Sequence, residues 1–178
     1  MFANQWIYVG NGQHIEVPLT DVFPSSEIAD SVPESLRTSR FKTYINGDPY
    51  MGSIQEGPYG MLDEFTAYCW GLHNTIAQKE FRESNDLVKK GYSNDFVSYA
   101  EFRYYILHYM LYAKEHYPEV YSGILNNDSF RKAFSTIDSM FSGSAESQKN
   151  YYFIGEWNAL MNEMKKPEYV NMAMLLHG

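Results

Sequence analysis

Glu64 and His108 are the residues whose types and settings could carry acid–base chemistry in this chain of 178 residues. Glu64 falls at the edge of an apolar stripe made by Leu62, Phe65, Cys69, Leu72 and Ile76, where a carboxylate can act as a general base or a metal ligand. His108 sits among Glu101, Tyr104, Tyr112 and Glu115, a setting in which an imidazole can take or give a proton. Glu101 and Glu115 each stand seven residues from His108, about 10 Å along a helix, so these three cannot chelate one ion. His73 is the histidine closest in sequence to Glu64. The nine residues between their positions, at about 100° each, point them to opposite sides of one helix unless it breaks at Gly71. The single cysteine, Cys69, lies inside the apolar stripe and reads as a small buried hydrophobe rather than a nucleophile. Each site residue also has a plain structural role open to it: Glu64 as a first-turn carboxylate at the positive end of a helix, His108 as a half-buried residue between tyrosines.

The run Glu64-Phe65-Thr66-Ala67-Tyr68 resembles the helix that carries the glutamate zinc ligand in gluzincin-type metallopeptidases. The resemblance covers about ten residues and implies a zinc site with Glu64 as ligand. Those enzymes also use His-Glu-x-x-His, whose two histidines share a helix face and chelate the metal. That motif is absent. The histidines, at 14, 73, 108, 116 and 177, include no pair spaced by four. The resemblance therefore implies either a site completed by His73 or His108 from another element, or one half of a larger zincin-like protein.

Composition narrows the partners. A net charge of −8 disfavours nucleic acid and anionic membranes, which need a basic footprint. Met1 to Trp6 lacks a basic segment followed by an apolar run, so no signal peptide is expected, and no window is long and apolar enough for a transmembrane helix. Aromatic residues make up 17% of the chain, with 16 tyrosines. Each buried tyrosine hydroxyl needs a partner, so this load suggests aromatic surfaces such as those that bind proteins or glycans. Tyr68, Tyr104 and Tyr112 are the candidates for such a surface. The plainer use of tyrosine, at helix edges with the hydroxyl in water, competes with that reading.

The elements follow from periodicity. Trp6–Val9 and His14–Val17 flank Gly10-Asn11-Gly12, a β-hairpin that must pack on something else to be stable. Residues 18 to 58 are rich in loops, with short helical starts at Ser25 and Pro33 and a short strand expected over Phe41–Ile45. Arg37, Arg40 and Lys42 could pair with Asp63 and Glu64, or with an anionic ligand, although plain solvated loop charges are the favoured reading. The organising helix is expected to follow Pro58, with Asp63 and Glu64 in its first turn. A second helix, capped by Ser93, Asn94 or Asp95, runs to His116 with Tyr99, Phe102, Ile106, Met110 and Ala113 inward. A third starts at Asp128-Ser129, carries Phe130, Phe134, Ile137 and Phe141, and stops near Gly143. A fourth spans Lys149–Lys165, and Met172–Leu176 is an apolar tail.

These signals predict a mainly α single domain over residues 1–178: a bundle of four or more helices, 59–178, joined to a hairpin- and loop-rich part, 1–58. The leading function is a non-catalytic module that binds protein or carbohydrate. The alternative is a metallopeptidase-like hydrolase using Glu64 with a histidine from elsewhere. Zinc is a possible cofactor on that alternative alone.

Overall fold

In the computed structural model, residues 4–85, 95–148 and 154–178 are described. The chain is mainly helical with an N-terminal antiparallel hairpin, as its periodicity predicts. Strands β1, Asn4–Gly10, and β2, Gln13–Pro18, pair with Ile7 opposite Ile15 and Tyr8 opposite His14. The turn between them uses Gly10, Asn11 and Gly12 at φ of 96°, 52° and 72°, the left-handed region that glycine and asparagine tolerate best. Alternation sends Ile7 and Val17 into the core and leaves Trp6, Tyr8 and His14 on the outer face.

Two short 3-10 helices, Ser25–Ser31 and Glu34–Leu36, follow at the expected places. Phe41–Ile45 is not a strand. Helix α1, Phe41–Tyr44, forms there, because Phe41 and Ile45 share one face at a spacing of four and both bury it. Helix α2, Gly52–Gln55, leads into α3, Gly57–Ala77, with Pro58 inside the first turn of α3 rather than before it. Asp63 and Glu64 therefore sit in the second turn, and the first turn carries no acidic residue. Gly57 takes a φ of 54°, and a Cβ there would stand 2.8 Å from the Phe23 carbonyl oxygen. Gly60 likewise lets α3 lie against the Ser53 backbone.

After α4, Lys79–Ser84, comes α5, Asp95–His116, which is the true centre of the bundle. It packs against α3 and against every later helix, so it buries residues around most of its circumference. The expected core face, Tyr99, Phe102, Ile106, Met110 and Ala113, is buried. So are Glu101 and Tyr104 of the face expected to be polar and aromatic. Of the expected caps, Ser93 and Asn94 lie outside the described residues. Pro118 ends α5 but also opens a further helix, α6, Pro118–Leu125.

Helix α7, Asp128–Gln148, is capped by Asn127, whose side-chain oxygen accepts the Phe130 amide at 3.1 Å. It runs through Gly143, where a stop was expected, burying Phe130, Phe134, Ile137, Phe141 and Ala145 on one stripe. The described part of the next helix, α8, is Ile154–Glu163; its expected start at Lys149 lies outside the described residues. The apolar tail is helix α9, Pro167–His177, which inserts Tyr169, Met172 and Leu176 against α5 and α7. Among the described residues, no helix is long and apolar enough to cross a membrane.

The tyrosine load has a structural use that neither sequence reading anticipated. Tyr59, Tyr105 and Tyr109 are fully buried, and their hydroxyls hold the long loop rather than meet water. Tyr109 donates to the Phe23 carbonyl at 2.8 Å and accepts the Phe23 amide at 3.0 Å. Tyr105 meets Thr38 at 2.9 Å, and Tyr59 meets Thr20 at 2.8 Å. Backbone groups of an irregular segment need partners, and core tyrosines supply them from below.

Candidate functional site

Glu64 projects from α3 toward Tyr44 and is half-buried. Burial raises its carboxyl above the usual range; the Tyr44 hydroxyl opposes that shift and the Asp63 charge adds to it. Tyr44 and Tyr68 place their hydroxyls 3.2 Å apart. Of the cations open to Glu64, Arg40 and Arg37 are engaged elsewhere. Arg40 Nη1 donates to Glu101 Oε2 at 2.8 Å, and the Arg40 amide donates to Glu101 Oε1 at 3.2 Å. The guanidinium lies over the Tyr68 ring, 4.3 Å from its centroid, with Phe102 stacked beyond. Arg37 stacks over Phe41 and donates to the Val32 and Ala29 carbonyls. The half-buried Tyr68 is thus a spacer inside an ion-pair cluster.

His108 occupies a different place. Its Nε2 lies 2.9 Å from Ser31 Oγ, and its Nδ1 lies 2.8 Å from the Tyr169 hydroxyl. Ser31, His108 and Tyr169 stand in the order of a nucleophile, a base and an orienting group. Two features turn that order to structural use. Ser31 donates its hydroxyl proton to the Ile28 carbonyl at 2.7 Å, so Nε2 carries the imidazole proton and Nδ1 accepts from Tyr169. Burial also lowers His108 to about 4, against a smaller opposing effect of the Glu163 charge, which makes it a weak base near neutrality. Tyr104 stacks on His108 and is fully buried, so it cannot belong to a binding surface as expected from its helical position. Its hydroxyl lies beside Tyr169 without a well-aligned hydrogen bond. Tyr112 is half-buried against Phe23 and His116.

The His108 setting predicts a pH effect. A folded value near 4, below the unfolded 6.5, means the unfolded chain binds more protons between those values. Stability from this group is complete above pH 6.5 and falls as pH drops toward 4, by about 3 kcal/mol at most. The carboxyls of Asp63 and of the half-buried Glu64 and Glu156 are raised by desolvation and act in the opposite direction, so the comparison is made with His108→Gln. Urea melts from pH 7 to 4 should show the native protein losing more stability than the variant. Parallel curves would remove His108 as the cause.

Glu64 and His108 are not brought into contact. His73 lies on the exposed side of α3, edge-on to Trp70 and Phe141. Because α3 is continuous through Gly71, Glu64 and His73 stay on opposite sides of it, and they cannot share an ion. Among the described residues, no group of three or more His, Cys, Asp or Glu side chains could hold a metal. Cys69 is buried, and burial pushes its thiol up, away from nucleophilic use.

Another cluster was outside the sequence reading. Trp6 meets His14 edge-on at 4.5 Å, and His14 stands opposite Tyr8 in the hairpin. Tyr8 meets Trp70 at 5.2 Å, and Trp70 meets Phe141 at 5.1 Å. The Trp70 indole N–H donates to the Tyr8 carbonyl at 3.2 Å and fixes the join between hairpin and α3. Trp6 and Tyr8 are 55% and 45% exposed on one face of the hairpin, so an aromatic track open to solvent runs along it to the half-buried Trp70, with Phe141 buried beneath. It borders a hollow of about 560 Å³ lined by Tyr8, Asn11, Trp70, His73, Met140 and Ser144, among others. The alternating aromatics of β1 were the available signal; nothing local showed that Trp70 and Phe141 would meet them. Comparisons with family models, with curated proteins and with solved structures found no match to this chain.

Proposed function

We propose that the protein is a non-catalytic binding module that takes a protein or glycan ligand on the aromatic track running from Trp6 through Tyr8 to Trp70. The observation that carries this reading is the cluster itself: the solvent-open rings of Trp6 and Tyr8 and the half-buried Trp70 ring, beside a hollow of about 560 Å³ whose lining includes Asn11, His73 and Ser144. Concave aromatic surfaces with a few polar groups are the usual form of a ligand site. In the His108 and Glu101 clusters, by contrast, the imidazole nitrogens and the Glu101 carboxylate are engaged in holding elements together.

Peptide and glycan arrays probed with the purified protein test this. Tyr8→Ala should lose roughly tenfold or more in binding to any retained ligand, with little change in the melt, since truncating an aromatic anchor costs at least about 1–2 kcal/mol. Undiminished binding by Tyr8→Ala would place the ligand elsewhere.

The metallopeptidase-like alternative keeps one supporting feature, the raised, half-exposed carboxyl of Glu64. Elemental analysis after zinc incubation and dialysis is expected to find no stoichiometric metal. One retained equivalent, lost in Glu64→Gln, would establish that alternative instead.

A further inference from the structure

The hollow beside Trp70 does not end there. A second one, about 510 Å³, is lined by Val9, Gln13, His14, Ile15, Lys132 and Thr136. Val9 borders both, and α7 supplies both floors, through Lys132 and Thr136 in one and Met140 and Ser144 in the other. Those four residues recur at every fourth position, so they form one row along the helix. The row from Lys132 to Ser144 is about 18 Å long at 1.5 Å per residue. Hairpin and helix thus enclose a groove, not a single pit.

The groove carries Lys132, Gln13 and His14 beside Val9 and Ile15 at one end and the aromatic rings of Tyr8, Trp70 and Phe141 at the other, and its charge runs against that of the chain. Net charge is −8, yet among the described residues no carboxylate lines either hollow. The hollow between the Leu19–Asp21 segment and α6 differs in this respect, since Asp21 and Glu119 line it. Lys132 is exposed and makes no ion pair among the described residues. At the other end Met140, 42% exposed, faces the aromatic side, an adaptable apolar contact.

We infer that this groove receives an extended, acidic peptide segment of a partner protein, with an apolar or aromatic anchor at Trp70 and Met140 and a carboxylate at Lys132. The inference rests on the binding-module reading and names its ligand class. Lys132 and Met140 are about 12 Å apart along α7, which an extended peptide covers in about four residues at 3.3 Å each. The anchor and the acidic side chain are therefore four positions apart. Lys132, the one Lys or Arg lining the two hollows among the described residues, attracts that carboxylate and repels a basic peptide at close range, against the long-range pull of a net charge of −8, so it sets selectivity more than affinity.

Three probes test this with the full chain: an eight-residue peptide with Phe and Glu four positions apart, the same peptide with Lys replacing Glu, and a neutral hexasaccharide of N-acetylglucosamine. Binding is followed by NMR titration, with the Trp70 indole signal reporting one end and the Thr136 amide the other. The Phe/Glu peptide should bind best, move both signals, and weaken with added salt. Lys132→Glu, at an exposed position, should weaken it about tenfold and turn the preference toward the Phe/Lys peptide. Equal binding of the two peptides, or no binding of the Phe/Glu peptide, overturns the acidic-peptide inference. If the hexasaccharide alone binds and Tyr8→Ala weakens it, the inference fails while the binding-module reading stands. If Tyr8→Ala and Met140→Ser leave every observed interaction unchanged, both fail.

Discussion

Replacing Asp138 with alanine should destabilise the protein by about 3–5 kcal/mol, the usual result of removing one partner from a buried charge network. Asp138 is 4% exposed on α7. It accepts a hydrogen bond from the Tyr99 hydroxyl and one from the Arg103 Nε–H shared between its two oxygens at 2.9 and 3.1 Å, and contacts His177 Nε2 at 2.8 Å. Alanine would strand the Arg103 guanidinium, which is 18% exposed, in a site where water cannot fully replace the carboxylate. It would also release His177, one of the groups that fasten α9 to α7. Among the described residues, Arg103 would keep only its contact with the Met164 sulfur, a weak acceptor. Denaturant melts at pH 7 measure the loss. A loss below 1 kcal/mol would mean that the network is not a support of the fold. Asp138→Asn, which keeps the shape and one acceptor, should fall between the two.

Phe65→Ala should cost about the same, roughly 3–5 kcal/mol, by a different cause. Phe65 is fully buried where α3 meets α5 and α7, with its ring 5.5 Å from Tyr99 and 6.2 Å from Phe134. Truncation removes the transfer energy of the ring and leaves a cavity between three helices that cannot all close in. The melt should remain a single transition at lower denaturant, with its slope unchanged. A loss within error would show that Phe65 does not face the core. The two substitutions touch different parts of one neighbourhood, since Tyr99 contacts both residues, so their effects should not simply add.

Much of the fold was open to reading from the chain because it depends on local spacing. Leu62, Phe65, Cys69 and Leu72 recur at helical intervals and are all buried. Phe130, Phe134, Ile137 and Phe141 do the same on α7. Readings that relied on a single punctuating residue were less secure. Gly143 does not stop α7, because the buried face continues to Ala145 and packing outweighs the modest helical cost of one glycine. Pro58 opens α3 from within its first turn, and that displaced Asp63 and Glu64 from the helix start. Phe41–Tyr44 is helical although its aromatic and branched residues favour a strand, since i and i+4 packing decided it.

The candidate sites divide the same way. The sequence by itself determined the hairpin, the long helical faces and the identity of the few residues able to do chemistry. Turn dihedrals and side-chain periodicity are properties of the chain over a few residues. Only the tertiary structure decided what those residues do. It set Arg40 on Glu101 rather than Glu64, 61 positions away, and set His108 between Ser31 and Tyr169, 77 and 61 positions away. It also buried Tyr104 and opened the track from Trp6 to Trp70. Each of these outcomes depends on which helices converge on α5. Convergence is driven by burial of apolar area, which is non-directional and leaves no local mark of who will be neighbour to whom.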